Sequence, residues 1–344
     1  MQNKKFITIG SLTFDIFVRP EQHKIIRTHT EDSIIEELSF AFGEKIRVQD
    51  VHECFGGGAS NVAVGFSRLG INTSVFGAVG QDEWANGVIN NLKQEKIETS
   101  HIIETKEKTG FSVIINSFEG ERTVLGYSGA NHDFEDIDIS IFDQYEGAHL
   151  CHLSGKASKV FDKIQKFFIK NPEKFLSWNP GKEQIEKGIQ EFKNFIPAVD
   201  VIILNREESE EFTNQKSHKG SNFGNNIYDV TDIMCKFYEN GFSGILVITD
   251  GRRGAQATDG KELYYAPIEE SQKRVDTLGA GDAFCSGFCA SCIQNQDLQN
   301  CLIFGTLNSA NVVSNFGAQT GLLTQDALKK YKNTLLIKKQ TLKL

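Results

Sequence analysis

The sequence predicts an α/β fold with a mainly parallel central sheet, and three observations lead there. Apolar runs of strand length recur along the chain, several of them continuous, as in strands covered on both faces. Segments of helix length lie between them, so strand and helix patterns alternate. The chain also holds 31 glycines against 5 prolines, a balance that favours tight turns and close backbone approaches over Pro-rich linkers. At 344 residues it is long enough for one large domain with insertions or for two modest ones.

In chain order, Phe6 to Ile9 reads as the first strand, Asn61 to Leu69 as a helix closed by Gly70, and Thr73 to Phe76 as a second core strand. Glu83 to Glu95 follows as a helix, Phe111 to Ile115 as a strand and Lys159 to Lys170 as a helix. Val199 to Leu204 and Ile245 to Thr249 complete the continuous apolar strands, with a helix expected from Asn226 to Asn240 between them. Asp282 to Gln294 is a further segment of helix length. Two stretches break the alternation: Ile16 to Cys54 and Thr109 to Ala130 are β-rich with little helical period. Inserted into an α/β core, they can pair as a small sheet over the carboxyl ends of the core strands, where ligands bind in open α/β folds. The polar segment Thr213 to Asn226 reads as a surface loop, and Lys329 to Leu344 as a terminal helix with a solvated tail.

Composition narrows the function. A net charge of -8 supplies no field to attract nucleic acid or an anionic membrane. No apolar run approaches the roughly 18 residues that a bilayer span needs. Seven scattered cysteines, an odd number in a chain of this length, suit a reducing, cytoplasmic setting. Cys285, Cys289 and Cys292 follow helical spacing within an apolar segment, so a buried helix face is expected there and not a metal or redox site. Gly-x-x-x-x-Gly-Lys-Ser/Thr is missing from the sequence, and the first strand is not followed by Gly-x-Gly-x-x-Gly, which argues against a P-loop NTPase and a dinucleotide dehydrogenase.

The most informative stretch is Asp276-Thr277-Leu278-Gly279-Ala280-Gly281-Asp282-Ala283-Phe284. Its glycines let successive N–H groups point to one spot at the start of a helix, which makes an anion hole. Asp282 at its rim reads either as a general base for an attacking hydroxyl or as a helix cap after a glycine turn. A second cluster, Gly56-Gly57-Gly58-Ala59-Ser60-Asn61, precedes an apolar helix. Asn61 both donates and accepts, as a polyol requires, although a plain strand-to-helix turn explains the same residues.

Together with Gly10-Ser11-Leu12-Thr13-Phe14-Asp15, these segments resemble the ribokinase-like (PfkB) family of carbohydrate and nucleoside kinases over nearly the whole chain. Gly56 to Gly70 is similar to the family's first signature and Val275 to Phe284 to its second, in the family's order. Gly77-Ala78-Val79-Gly80-Gln81-Asp82, Gly120-Glu121-Arg122-Thr123, Asn205-Arg206-Glu207-Glu208 and Gly317-Ala318-Gln319 agree with it.

The resemblance implies a ribokinase-like three-layer α/β/α domain over residues 1-344, with a β lid from about 16-54 and 109-130. It implies an ATP-dependent kinase that phosphorylates a hydroxymethyl group, with Asp282 as base and the amides of Gly279, Ala280 and Gly281 holding the transferring phosphoryl group. Asp15, Thr13, Gly57, Gly58 and Asn61 would then bind substrate. Asn205 and Glu208 would act on Mg2+ and phosphate through waters. Thr249, Gly251 and Gly254 would lie beneath the adenosine, with Asn308 or Asn311 beside the base. A monovalent cation, K+, is implied near Asp276 and Gly317, and a homodimer through the lid is expected. Gly58 stands where ribokinases often carry Lys, and Thr13 where they carry Asn. Both changes weaken the case for ribose and leave other sugars, sugar acids, sugar phosphates and nucleosides open. Asn179 stands where relatives often have Asp, so no role is carried over to it. A non-catalytic sugar- or nucleoside-binding relative is the competing reading, and the retained Asp282 argues against it.

Overall fold

The computed structural model describes residues 4–21, 24–29, 34–116, 122–269, 274–331 and 335–342. The chain begins with β1 (Lys5–Ile9), β2 (Thr13–Pro20), β3 (Lys24–His29), β4 (Ile34–Ser39) and β5 (Val48–Gly56), then α1 (Gly58–Arg68). β6 (Asn72–Val79), α2 (Glu83–Gln94), β7 (Glu98–Glu104), β8 (Gly110–Asn116), β9 (Arg122–Tyr127) and β10 (Gly147–Leu150) follow. Next come α3 (Ser158–Lys170), β11 (Phe175–Trp178), α4 (Lys182–Lys187), β12 (Val201–Asn205), α5 (Arg206–Thr213), β13 (His218–Ser221), β14 (Gly224–Asp229) and α6 (Thr231–Glu239). The last third holds β15 (Ile245–Thr249), β16 (Ala255–Thr258), β17 (Glu262–Ala266), α7 (Ala280–Ile293), α8 (Leu298–Val313), α9 (Gln325–Tyr331) and β18 (Lys338–Thr341).

Ten strands form the central sheet in the order β18-β17-β16-β15-β12-β11-β10-β1-β6-β7. The seven strands from β15 to β7 are parallel, and β16, β17 and β18 extend the sheet antiparallel. The continuous apolar runs are explained by burial on both faces. In β12, Ile202 and Leu204 join the core beneath α3, α5 and α6, while Val201 and Ile203 join the one beneath α1, α7 and α8. Helix, sheet and helix thus make three layers. The first core is rich in phenylalanine: Phe161, Phe192, Phe195 and Phe212 ring Trp178 at centroid distances of 5.2–6.0 Å. Each such side chain contributes about 1.5–3 kcal/mol by leaving water.

On the opposite face α1 crosses α7 at short range. A Cβ on Gly65 would lie 2.3 Å from Ser286 Oγ, so the crossing tolerates only hydrogen at that position. This contact brings the start of α1 beside the start of α7.

A separate four-stranded sheet has the order β5-β2-β8-β9, with β2 parallel to β8. It is the small sheet lid expected from the two β-rich insertions. β3 and β4 form their own antiparallel pair.

Two sequence expectations are corrected. Residues 213 to 226 are not a plain loop, because β13 pairs with β14, and the helix expected from Asn226 starts only at Thr231. The end of the chain is not a solvated tail. β18 joins the sheet edge, with Lys339 opposite Tyr264 and Lys338 opposite Tyr265, and Leu335 and Leu342 are buried. Lys-Lys-Gln-Thr shows no strand periodicity of its own; backbone pairing and the lysines over the tyrosine rings place it. Among the described residues no helix is long and apolar enough to cross a membrane.

Candidate active site

Gly279 caps α7 with φ 73, a left-handed conformation, and a Cβ there would lie 2.3 Å from Ala318 Cβ. The first helical N–H groups have no intrahelical acceptors, so this end presents donors and a positive dipole. Of the three amides expected in the anion hole, Ala280 N–H bends back to Thr277 O at 3.3 Å. Gly281 is open, since a Cβ there would meet nothing within 4 Å.

Asp282 follows in the same turn. Asn61 Nδ2, from the first turn of α1, donates to Asp282 Oδ2 at 2.7 Å. Burial pushes the Asp282 carboxyl up to about 6; the Asn61 hydrogen bond opposes that shift and the charge of Asp15 adds to it. A carboxylate with that affinity can hold and release a proton near neutrality, as a general base must. Asn61 Oδ1 accepts in turn from Gln319 Nε2 at 3.1 Å, and Gln319 Oε1 accepts from Asn91 at 2.9 Å. The orienting role of Gln319 was not foreseen from sequence, where it was only one residue of a weak motif.

Asp15 is 5% exposed, and burial raises its carboxyl affinity against hydrogen bonds from Ser112 and Thr13. Gly56 makes room for it: a Cβ there would lie 2.0 Å from Asp15 Oδ2. Gly58 N–H is taken by Ser11 Oγ at 3.0 Å, and the bare face of Gly58 abuts Cys151 and Asp282. Gly57 precedes it as the N-cap of α1.

Two cavities flank these residues. A cleft of about 200 Å³ between core and lid is lined by Ser11, Thr13, Ser112, Tyr127, His132 and His152, among others. It carries hydroxyls and imidazoles and, among the described residues, no Lys or Arg. Ser112, Tyr127 and His132 were missed as site residues. Their only signal is tertiary: pairing of β2 with β8 sets Ser112 opposite Asp15.

The larger cavity, about 830 Å³, is lined by Thr249, Gly251, Gly254, Thr277, Ala280 and Gly281, with Arg252 and Arg274 also on its wall. α8 contributes Thr306, Ser309, Ala310 and Val313, one face at helical spacing. The expected base contacts Asn308 and Asn311 are therefore corrected. Asn308 is fully buried, donating to Ala283 O and Ser286 Oγ and accepting from Leu323 N–H, and Asn311 donates to Gly321 O. Both lie off the helix face that meets the cavity.

Asn205 and Glu208 form a reciprocal cap on α5, each accepting the other's backbone N–H at 2.8 Å. Burial, with the charges of Glu207 and Glu211, holds the Glu208 carboxyl above its usual range. Asn179 Nδ2 is occupied by Ile203 O at 2.8 Å.

Asp276 also departs from expectation, because its carboxylate already pairs with an arginine. Oδ1 accepts from Arg122 Nη1 and from Leu278 N–H, both at 3.0 Å, and Oδ2 from Gly317 N–H at 3.3 Å. A lid arginine already supplies the positive charge. Gly120 and Glu121 of the same motif lie outside the described residues.

Among the described residues no group of three His, Cys, Asp or Glu could hold a metal. All seven cysteines are free thiols, and Cys289 is fully buried while Cys292 Sγ lies 3.4 Å from Cys301 Sγ.

The chain is similar in sequence and fold to several known proteins. An uncharacterised sugar kinase of Archaeoglobus fulgidus is 26% identical over 262 residues, 75% of this chain and 98% of that protein. The nucleoside kinase of Methanocaldococcus jannaschii is 23% identical over 282 residues, covering 82% and 86% of the two chains. The structure of Arabidopsis thaliana ribokinase complexed with ribose and ATP superposes with a TM-score of 0.77 at 17% identity, over 97% of this chain and 99% of that one. The sequence model of the pfkB family carbohydrate kinases matches residues 28–325. Because that model spans well over half of the sequence and the fold agrees with it, the chain belongs to the pfkB family of carbohydrate kinases.

Proposed function

We propose that this kinase transfers the γ-phosphoryl group of ATP to a hydroxymethyl group of a neutral sugar. The observation that carries the reading is the continuity of Ala280, Gly281 and Asp282: the first two line the large cavity, and the third lies behind Gly58 and Ser11 on the side of the polar cleft. We assign ATP to the large cavity, whose size, glycine-lined wall and Arg252 and Arg274 suit a nucleotide; an Arabidopsis ribokinase is complexed with ribose and ATP. Asp282 takes the proton from the attacking hydroxyl as the new O–P bond forms, and amides at the start of α7, among them Gly279 to Gly281, stabilise the charge on the transferring group. Asp15, Thr13, Gly57, Gly58 and Asn61 shape the substrate end. Glu208 commits one carboxylate oxygen to Asn205 N–H, which leaves the other for a magnesium-bound water. Magnesium there, held mainly by phosphates and waters, would neutralise phosphate charge.

The cleft's lack of Lys and Arg among the described residues favours a neutral substrate over a sugar acid or sugar phosphate. A nucleoside is the second reading, supported by Phe111 and Tyr127, whose rings lie 5.4 Å apart on the cleft wall. We read the chain as one kinase domain with a lid from about 16-54 and 109-130. Val51, Val124 and Leu125 are exposed on that lid, which supports a homodimer formed through it. A reducing cytoplasm suits the seven free thiols.

ADP release measured over neutral sugars, sugar acids, sugar phosphates and nucleosides tests the reading. Turnover is expected with a neutral sugar, and Asp282→Asn should lower kcat by roughly 10²–10⁴-fold while thermal-shift binding persists. Ligand binding without ADP release from any substrate would favour a non-catalytic binding protein instead.

A further inference from the structure

The lid and core are joined at the loop that leads into α7. The Asp276 side chain is 3% exposed, and a carboxylate so buried requires a counter-charge. Besides its bond to Asp276, Arg122 Nη1 donates to Thr277 Oγ1. Leu278 N–H and Gly317 N–H complete the carboxylate's partners, and the N–H groups of Val275 and Asp276 both end on Val313 O. One carboxylate thus fastens three segments: lid strand β9, the loop before Gly279, and the turn after α8. Thr277 also lines the large cavity, so the guanidinium sits one residue behind the nucleotide wall.

We infer that Arg122 is a tethered cation, standing where a dissociable monovalent ion would otherwise bind and held at the approach to the anion hole by lid strand β9. The inference rests on the kinase reading above. Arg122 is a positioning residue: it acts through Asp276 and Thr277 on the Gly279 to Gly281 turn and touches no reacting atom. Arginine suits this post because Nη1 carries two N–H donors, one for the carboxylate and one for the hydroxyl, on a group that stays charged at any working pH. Because the charge is covalently held, the wild-type enzyme has no use for potassium.

The test uses the full chain as wild type, Arg122→Ala and Arg122→Lys. ADP release is measured at constant ionic strength in potassium or tetramethylammonium, with and without guanidinium below denaturing concentration. Wild-type turnover should be the same in both salts. Arg122→Ala should lose roughly 10–100-fold in kcat, the worth of one charge-assisted hydrogen bond, and regain part of it with guanidinium or potassium. Arg122→Lys should fall between. Thermal shift supplies a readout independent of turnover: guanidinium or potassium should raise the melting temperature of Arg122→Ala relative to tetramethylammonium and leave that of wild type unchanged. Potassium activation of the wild type would overturn the inference. So would wild-type kcat in Arg122→Ala, or a slow variant whose rate and melting temperature respond to neither cation. Lack of any wild-type ADP release would count against the kinase reading alone, since the thermal-shift comparison still decides on Arg122.

Discussion

Asn61→Ala should move the acid limb of the pH–rate profile without removing Asp282, the proposed base. In the wild type the Asp282 carboxyl sits at about 6, raised by burial and by Asp15 and held down by the 2.7 Å bond from Asn61 Nδ2. That bond favours the ionised form, so its loss favours the proton. A hydrogen bond to a charged group is worth about 1.5–3 kcal/mol. At 1.36 kcal/mol per pKa unit this is a rise of roughly one to two units, to about 7–8. Because the ionised carboxylate is the base, activity should climb with pH through about 6 in the wild type and through about 7–8 in the variant. At pH 7 the ionised fraction falls from about nine-tenths to roughly a quarter if the variant titrates near 7.5. The assay is kcat from pH 5 to 9 with ATP and substrate saturating, so that the profile reports the bound complex. The position of the limb is the readout, since Asn61 also shapes the substrate end and can change the plateau. A limb that stays near 6 with a lowered plateau would refute the electrostatic coupling.

Asp282→Asn should be more stable than wild type at pH 8. The folded carboxyl is raised from 3.8 to about 6, so its destabilising effect is absent below about 4, grows between the two values and is complete above about 6. Partial exposure discounts a two-unit shift to about 1–2 kcal/mol; urea melts at pH 8 and pH 4.5 should show that gap shrinking in acid, and a gap independent of pH would count against it. Asn308→Ala should lose about 2–3 kcal/mol, because Leu323 N–H and the Ala283 carbonyl lose their buried partner. Its KM for ATP should hold; a raised KM at unchanged stability would restore the base-contact reading. Gly65→Ala should force α1 from Ser286, lowering stability by about 1–3 kcal/mol and kcat with it as Asn61 separates from Asp282, as melting and ADP release together would show.

Much of the site was legible in the chain because its backbone chemistry is local. The turn at Gly279 and the bare side-chain position at Gly281 follow from glycine at those positions, and Asp282 follows in the same helical turn. Continuous apolar runs such as Val201 to Leu204 announced strands buried on both faces. The substrate wall was less legible. Ser112 and Tyr127 are ordinary strand residues until β8 pairs with β2 and β9. Asn308 and Asn311 carried suggestive chemistry, yet the rotation of α8 turns Thr306, Ser309 and Ala310 to the cavity and leaves both asparagines bonding to core backbone.

The sequence by itself determined the class of fold, the glycine cap at the start of α7 and the acidic residue beside it, since each rests on local pattern. Tertiary structure alone decided the affinity of Asp282 for its proton, which burial raises and Asn61, 221 residues away in the chain, holds down. It likewise decided that Asp276 faces Arg122 across 154 residues and that the polar end of the chain closes the sheet as β18. Local patterns carry backbone geometry and burial, whereas a carboxylate's charge state and counter-ion are set by whichever distant groups the fold brings within a few ångströms.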